Sequence, residues 1–329
     1  MREELNRLCS QFIRNRDMVK STFGWENTYM YPVSAAIFTD KRMDAEADKL
    51  LWCRDILKEN TGIFSNFRST AKLAIISMMA TDTDPENRLM KAIEVYNRLK
   101  EHFLSSDYLT LTSLVIADLV AVDQYAEMAS RTRKIYNLMK SEHPFLTSGE
   151  DSVFAALLGL SSLSEMQIVA ETEQCYRLLK QEFFSGNAVQ SLSHVLALCD
   201  GIAEAKCNRA VQLYLQLKER GYKYGTDHEL ATLGVLAMLP VEPYQVLQDI
   251  MDADDYLAQQ KGYGFFGIGR KQRLMHAGMI VASSYIEQEQ SHAMNFAAIS
   301  GTISLIAAQQ AAMCAAIAAS SAAAASSNN

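Results

Sequence analysis

YNRLK at 96–100, YNLMK at 136–140, YRLLK at 176–180 and YLQLK at 214–218 are four versions of one phrase, and a weaker YLAQQK begins at Tyr256. The tyrosines stand 40, 40, 38 and 42 residues apart. A fixed period of this length marks a repeat architecture, in which each unit is one supersecondary element that cannot bury its apolar face alone. Turns follow the phrases at the same interval: IFSNFR at 63, FLSSDY at 103, FLTSGED at 145, FFSGNA at 183, KYGTDHE at 223 and FFGIGRK at 265. Their Ser, Thr, Asp, Asn and Gly residues cap helix N-termini and close tight turns.

Each unit reads as an antiparallel helix pair. One helix is apolar nearly all round, as in SVFAALLGLSSL (152–163) and ELATLGVLAML (229–239), and belongs between neighbours. The other is amphipathic, with Leu89, Ile93, Tyr96 and Leu99 on one face and Glu and Lys between them. Asp84 before Pro85 has the form of an N-cap with proline at the first helical position, and Pro243 can start a helix likewise. The expected fold is all-α, with stacked helical hairpins of about 40 residues forming an α/α solenoid. A closed α/α toroid is the alternative, because periodicity does not choose between them. The expected divisions are N-terminal helices and a degenerate hairpin over 1–62, hairpin repeats over 63–289, and an uncharged Ala-rich tail over 290–329.

Composition agrees. The 329 residues are 49% apolar with only 15 glycines and 5 prolines, so helix breakers are scarce in a chain long enough to bury a large core. The net charge of -7 with no Lys/Arg-rich block argues against a nucleic-acid partner. Cysteines 9, 53, 175, 199, 207 and 314 form no C-x-x-C pair, which points to reduced thiols rather than zinc or a disulfide framework. The N-terminal stretch lacks the apolar run of a secretory signal, so the expected compartment is the cytoplasm.

TGIFSNFRS, HPFLTSGEDSVFAALL, FFSGNAVQSLSHVLAL, YGTDHELATLG and GFFGIGRKQRLMHAGMIVAS, with the tail ISLIAAQQAAMCAAIAASSAAAASS, resemble a family of Gram-positive bacterial proteins classed as a domain of unknown function. The resemblance covers almost the whole chain. It implies an all-helical bacterial protein and carries over no catalytic residue.

A G-x-G-x-x-G occurs at Gly262, Gly264 and Gly267, but helical DDYLAQQK precedes it, not the strand that a dinucleotide site requires. Gly262 reads as a left-handed helix stop. Beyond it, Arg270, Lys271 and Arg273 open a helix, an arrangement that attracts anions, although a solvated first turn is the better account of them. In DIMDADDY, Asp252 and Asp255 share a helix face; the pattern fits a solvated acidic face better than a metal site, and no metal or cofactor is expected.

His194 lies on an apolar helix four residues after Gln190, and His228 with Glu229 opens another. If the apolar helices line one groove, their first turns align Arg68, Asp107, Asp151, Gln190, His228, Glu229 and Arg270 along one rim, where a ligand would sit. The simpler account is that Asp107, Asp151 and Asp227 complement helix N-termini. No nucleophile motif, H-E-x-x-H or P-loop is present, so no catalytic residue is assigned and an enzyme is not favoured. The leading expectation is a cytoplasmic scaffold that binds a protein or peptide. The alternatives are a toroidal enzyme or small-ligand binder using that rim, and a protein driven to self-assembly or membranes by its tail. Ile299, Ile303, Ile306, Gln310, Met313 and Ile317 stripe that tail, whose Ala and Gln content favours helix packing or homo-oligomer contacts over membrane contact.

Overall fold

A computed structural model describes residues 1–264, 267–286, 312–317 and 320. The expectations for the rest of the tail and for Phe265 and Phe266 lie outside the described residues. Among the described residues the chain is all α-helical, with no strand beyond an isolated bridge between Tyr263 and Ile268. The odd-numbered helices are α1 (Glu3–Thr22), α3 (Ala47–Asn60), α5 (Pro85–Lys100), α7 (Tyr125–Glu142), α9 (Glu165–Leu179), α11 (Ala203–Glu219) and α13 (Pro243–Ala258). The even-numbered ones are α2 (Met30–Asp40), α4 (Lys72–Ala80), α6 (Asp107–Leu119), α8 (Asp151–Gly159), α10 (Gly186–Leu198), α12 (Leu230–Ala237) and α14 (Arg270–Tyr285).

The two kinds of helix differ in burial as the sequence pattern requires. Every residue of α2, α8 and α12 is buried, so these even helices are inner ones. In α5 the buried stripe is Leu89, Ala92, Val95 and Leu99, with Ile93 and Tyr96 at its border, and the opposite face meets water. Each fully buried Leu or Val stabilises by about 1.5–3 kcal/mol relative to exposure, which outweighs helix propensity in fixing these elements. Helix starts are set locally. Asp84 Oδ1 accepts from the Asn87 N–H at 3.1 Å ahead of Pro85, Ser106 Oγ accepts from the Leu109 N–H at 3.2 Å, and Ser164 and Gln167 form a capping box.

The recurring tyrosine has a structural job. Each ring receives an aromatic side chain from a turn: Phe67 meets Tyr96 at 5.2 Å, Phe103 meets Tyr136 at 5.3 Å, His143 meets Tyr176 at 4.2 Å and Phe183 meets Tyr214 at 5.1 Å between centroids. One aromatic step per repeat locks each turn onto a neighbouring outer helix.

Outer helices touch in the order α1, α3, α5, α7, α9, α11, α13, and α13 touches α1 again. Inner helices touch from α6 through α8, α10, α12 and α14 to α2 and α4; the one-turn 3-10 helix Asn66–Arg68 contacts both α4 and α6. Polar groups lie at the meeting of the first and last hairpins. The Arg2 Nε donates to Asp249 Oδ2 at 2.8 Å, and the Tyr285 hydroxyl donates to the same oxygen at 2.5 Å. Arg42 Nη2 donates to the Ser283 carbonyl at 2.5 Å, and Ser283 Oγ donates to Asp40 Oδ1 at 2.8 Å.

The DIMDADDY cluster is split: Asp255 is exposed and Asp252 half-buried, as a solvated acidic face requires, but its other two carboxylates are not. Asp249 and Asp254 are buried and Asp255 accepts from the Tyr222 hydroxyl at 3.0 Å, because α13 is covered by α1 and α14 where an open repeat end would leave it wet. Asp254 takes a forked bond from Arg273, at 2.8 and 2.9 Å. Gly262 has φ +93°, the left-handed stop expected after α13, and Gly264 has φ +140°.

Candidate functional site

Inner helices separated by one outer helix run in the same direction, so their N-terminal turns collect at one end of the molecule. A cavity of about 260 Å³ opens there, across the starts of α6, α8, α10 and α12. Tyr108, Glu150, Phe154, Asn187, Ser191, Asp227, His228 and Glu229 line it, with Cys314 and Ala315 from the tail. The first turns of helices carry unpaired N–H groups, which explains why polar residues gather here. Glu229 Oε2 accepts from the Asp227 N–H at 3.1 Å, and a Cβ on Gly225 would lie 2.1 Å from the Glu229 carboxyl carbon. Glycine at 225 therefore makes the room in which Glu229 folds back.

A buried polar layer lies beside the cavity. Asp151 Oδ2 accepts from the Ser148 N–H at 2.7 Å, and Asp151 Oδ1 stands 3.7 Å from His194 Nδ1, beyond hydrogen-bond reach. His194 Nδ1 is buried without a partner, and its ring packs on Phe154 at 5.1 Å. Gln190 Nε2 donates to Thr147 Oγ1 at 2.9 Å. Burial pushes the Asp151 carboxyl up to about 7 and His194 down to about 3, since both charged forms lose their hydration. Near neutrality His194 is uncharged and Asp151 is titrating.

The structure distributes the rim expected from sequence. His228 and Glu229 line the cavity, while Asp151 and Gln190 are buried in the first two turns of α8 and α10 and His194 is buried one turn further along α10. Asp107 lines a neighbouring cavity of about 330 Å³ with Asn66 and Thr70, sharing Tyr108 with the first, and accepts from Thr70 Oγ1 at 3.1 Å. Arg68 lines a third of about 240 Å³. Arg270 donates to the Gly221 carbonyl at 2.7 Å and lies over the Tyr222 ring, Lys271 is exposed, and Arg273 bonds Asp254, so these three do not join the rim. Sequence reasoning did not select Tyr108, Glu150, Asn187 or Ser191. Their signal was positional, because each falls within six residues of an inner-helix start.

At the opposite end of the inner helices, a smaller cavity of about 60 Å³ is lined by Asp40, Thr81, Arg88, Asp118, Met313, Cys314 and Ile317. Arg88 forks onto Asp118 with Nε at 3.0 Å and also donates to the Met78 carbonyl. Residues 312–317 are helical, and Cys314 borders both cavities. Among the described residues there is no group of three or more His, Cys, Asp or Glu side chains able to hold a metal ion, and no helix long and apolar enough to cross a membrane.

A model for proteins of unknown function, DUF4003, matches residues 15–311. The chain belongs to the DUF4003 family. The DUF4003 match spans the outer and inner helices alike. "Uncharacterized protein YeaA" of Bacillus subtilis (strain 168), a Gram-positive bacterium, is 25% identical over 322 residues, covering 91% of this chain and 96% of that protein. No solved structure matches this DUF4003 chain. The family resemblance seen in the sequence is thus confirmed, and the family description assigns no activity.

Proposed function

We propose that this protein is a closed α/α toroid that binds a small ligand rich in hydrogen-bond donors, an amine or a polyol, in the cavity at the inner-helix N-termini. The observation that carries the reading is the lining itself: Glu150, Asp227 and Glu229 supply carboxylates, Asn187 and Ser191 supply further acceptors, and among the described residues no Lys or Arg lines the cavity. Such a lining repels phosphates and carboxylates and rewards donors. Tyr108 and Phe154 add apolar faces. Contacts of α14 with α1 and α2 support the closed form. They weigh against a peptide-binding groove, which needs an open inner surface. Six free, buried cysteines fit a reducing compartment, and we place the protein in the cytoplasm on that ground.

A thermal-shift screen of small amines and polyols on the full chain tests the reading. A binder at a hundred times its Kd stabilises by about 2.7 kcal/mol. Glu150→Gln combined with Asp227→Asn should weaken it at least about tenfold, the effect of losing one charge-assisted bond of about 1.5–3 kcal/mol. A screen without a hit, or hits indifferent to the double variant, would sink this function.

A further inference from the structure

The turns after α3, α5 and α9 each hold two kinds of apolar residue, and those after α1 and α7 share the second kind. One is tucked against the repeat tyrosine, as Phe67, Phe103 and Phe183 are. The other points into water. Trp25 is 71% exposed, Phe64 99%, Leu104 93%, Phe145 100% and Phe184 96%. From Phe64 onward these tips are 40, 41 and 39 residues apart, so they occupy one register position in consecutive repeats. Single exposed apolar residues are ordinary, but five successive turns each presenting one at the same end of the molecule are not. The tucked residue already performs the packing, so the outward one contributes little to the fold.

The charges beside the tips indicate what they meet. The last turns of α1, α3, α5, α7 and α9 carry Lys20, Lys58, Arg98 with Lys100, Lys140 and Arg177, all exposed. Lys180 lies over the Phe184 ring at 5.5 Å. Glu59, Glu101, Glu142 and Glu182 offset part of this charge. Between the first two tips, however, the cavity of about 240 Å³ is lined by Arg54, Lys58, Arg68 and Lys72 together with Trp25 and Ile63. Glu26 pairs with Lys72 at 2.6 Å, and Asp55 pairs with Arg54 at 2.8 Å and with Lys58 at 3.5 Å, so four cations face two carboxylates here.

We infer that this end of the molecule docks on an anionic lipid surface, with the apolar tips entering the interface and the basic cavity between α1–α2 and α3–α4 taking a lipid headgroup. A protein partner or second copy needs a contiguous, packed patch of roughly 800 Å² on each side. Tips standing singly among polar turn residues form no such core, whereas a fluid interface accepts each ring separately and rewards adjacent cations. The acidic cavity opens at this same end but across the starts of α6 to α12, so the headgroup site and the ligand site share no lining residue.

Full-length protein is sedimented with vesicles of phosphatidylcholine, with and without phosphatidylglycerol. Binding should require phosphatidylglycerol and weaken with salt. The triple variant Phe64→Ser, Phe145→Ser, Phe184→Ser should bind at least about tenfold less. Lys58→Glu with Arg68→Glu should abolish the phosphatidylglycerol preference. In a Trp52→Phe background, Trp25 emission should move to shorter wavelength on adding vesicles. Because the substituted phenylalanines are fully exposed, the triple variant should keep the wild-type melting temperature. Three results would overturn the inference: wild-type protein that does not pellet with anionic vesicles, a triple variant that pellets as well as wild type, or tips that change only the sedimentation coefficient of the lipid-free protein, which would mark a contact between copies.

Discussion

Asp151 and His194 show what single residues contribute here. Asp151 titrates near 3.8 when unfolded and near 7 in the fold, so it favours the folded state fully below the lower value and loses that contribution as pH rises to the upper one. His194 runs oppositely: its folded value of about 3 against 6.5 means stability is gained as pH rises through that interval. Above neutrality only the cost of a buried carboxylate remains. Asp151→Asn keeps an acceptor for the Ser148 N–H, and should therefore stabilise by about 1–3 kcal/mol at pH 8 and by clearly less at pH 5, read from urea midpoints. Equal effects at the two pH values would show that Asp151 does not titrate in this window. Sequence reading placed each on an inner helix but could not pair them, because the 42 residues between them say nothing about a distance of 3.7 Å.

Among elements, close approach of inner helices depends on small residues. A Cβ on Gly234 of α12 would lie 2.8 Å from Leu192 and 2.9 Å from Val195 of α10, and one on Gly278 of α14 would lie 2.8 Å from Leu236 of α12. Gly234→Val forces that seam apart and should cost about 1–3 kcal/mol in chemical denaturation, despite valine's apolarity. A variant as stable as wild type would mean the seam can yield. The helices themselves were legible: the 40-residue phrase, the Asp84–Pro85 start and the fully apolar inner segments each record a local rule of capping or burial. The partner of each helix was less so. Outer α5 and α7 pack most closely on the inner helices that follow them, α6 and α8, and an alternating pattern of apolar and amphipathic helices is silent on which neighbour is nearer.

For the whole molecule, the meeting of first and last hairpins is the decisive property, and it was the least legible. Its bonds join Arg2 to Asp249 and Asp40 to Ser283, charged or polar residues that read as ordinary surface until a distant element covers them. Removing Arg2 leaves the buried Asp249 carboxylate, among the described residues, with Tyr285 and Gln245. Arg2→Ala should cost about 1–3 kcal/mol. Hydrogen exchange should speed up together in α1 and α14, which share no sequence proximity; acceleration confined to α1 would show that the two ends are not energetically joined. The acidic cavity depends on the same meeting less directly, since α6 to α12 lie away from the join.

That join also sets a clock on biosynthesis. Arg2 leaves the ribosome 247 residues before Asp249, an interval of roughly 12–50 s at ordinary elongation rates. Throughout it, α2 has no α14 to cover its flank, although every one of its residues ends up buried. The nascent chain must therefore hold a sticky edge open until the last hairpin emerges, and stalled or truncated products would be natural clients for chaperones and proteases.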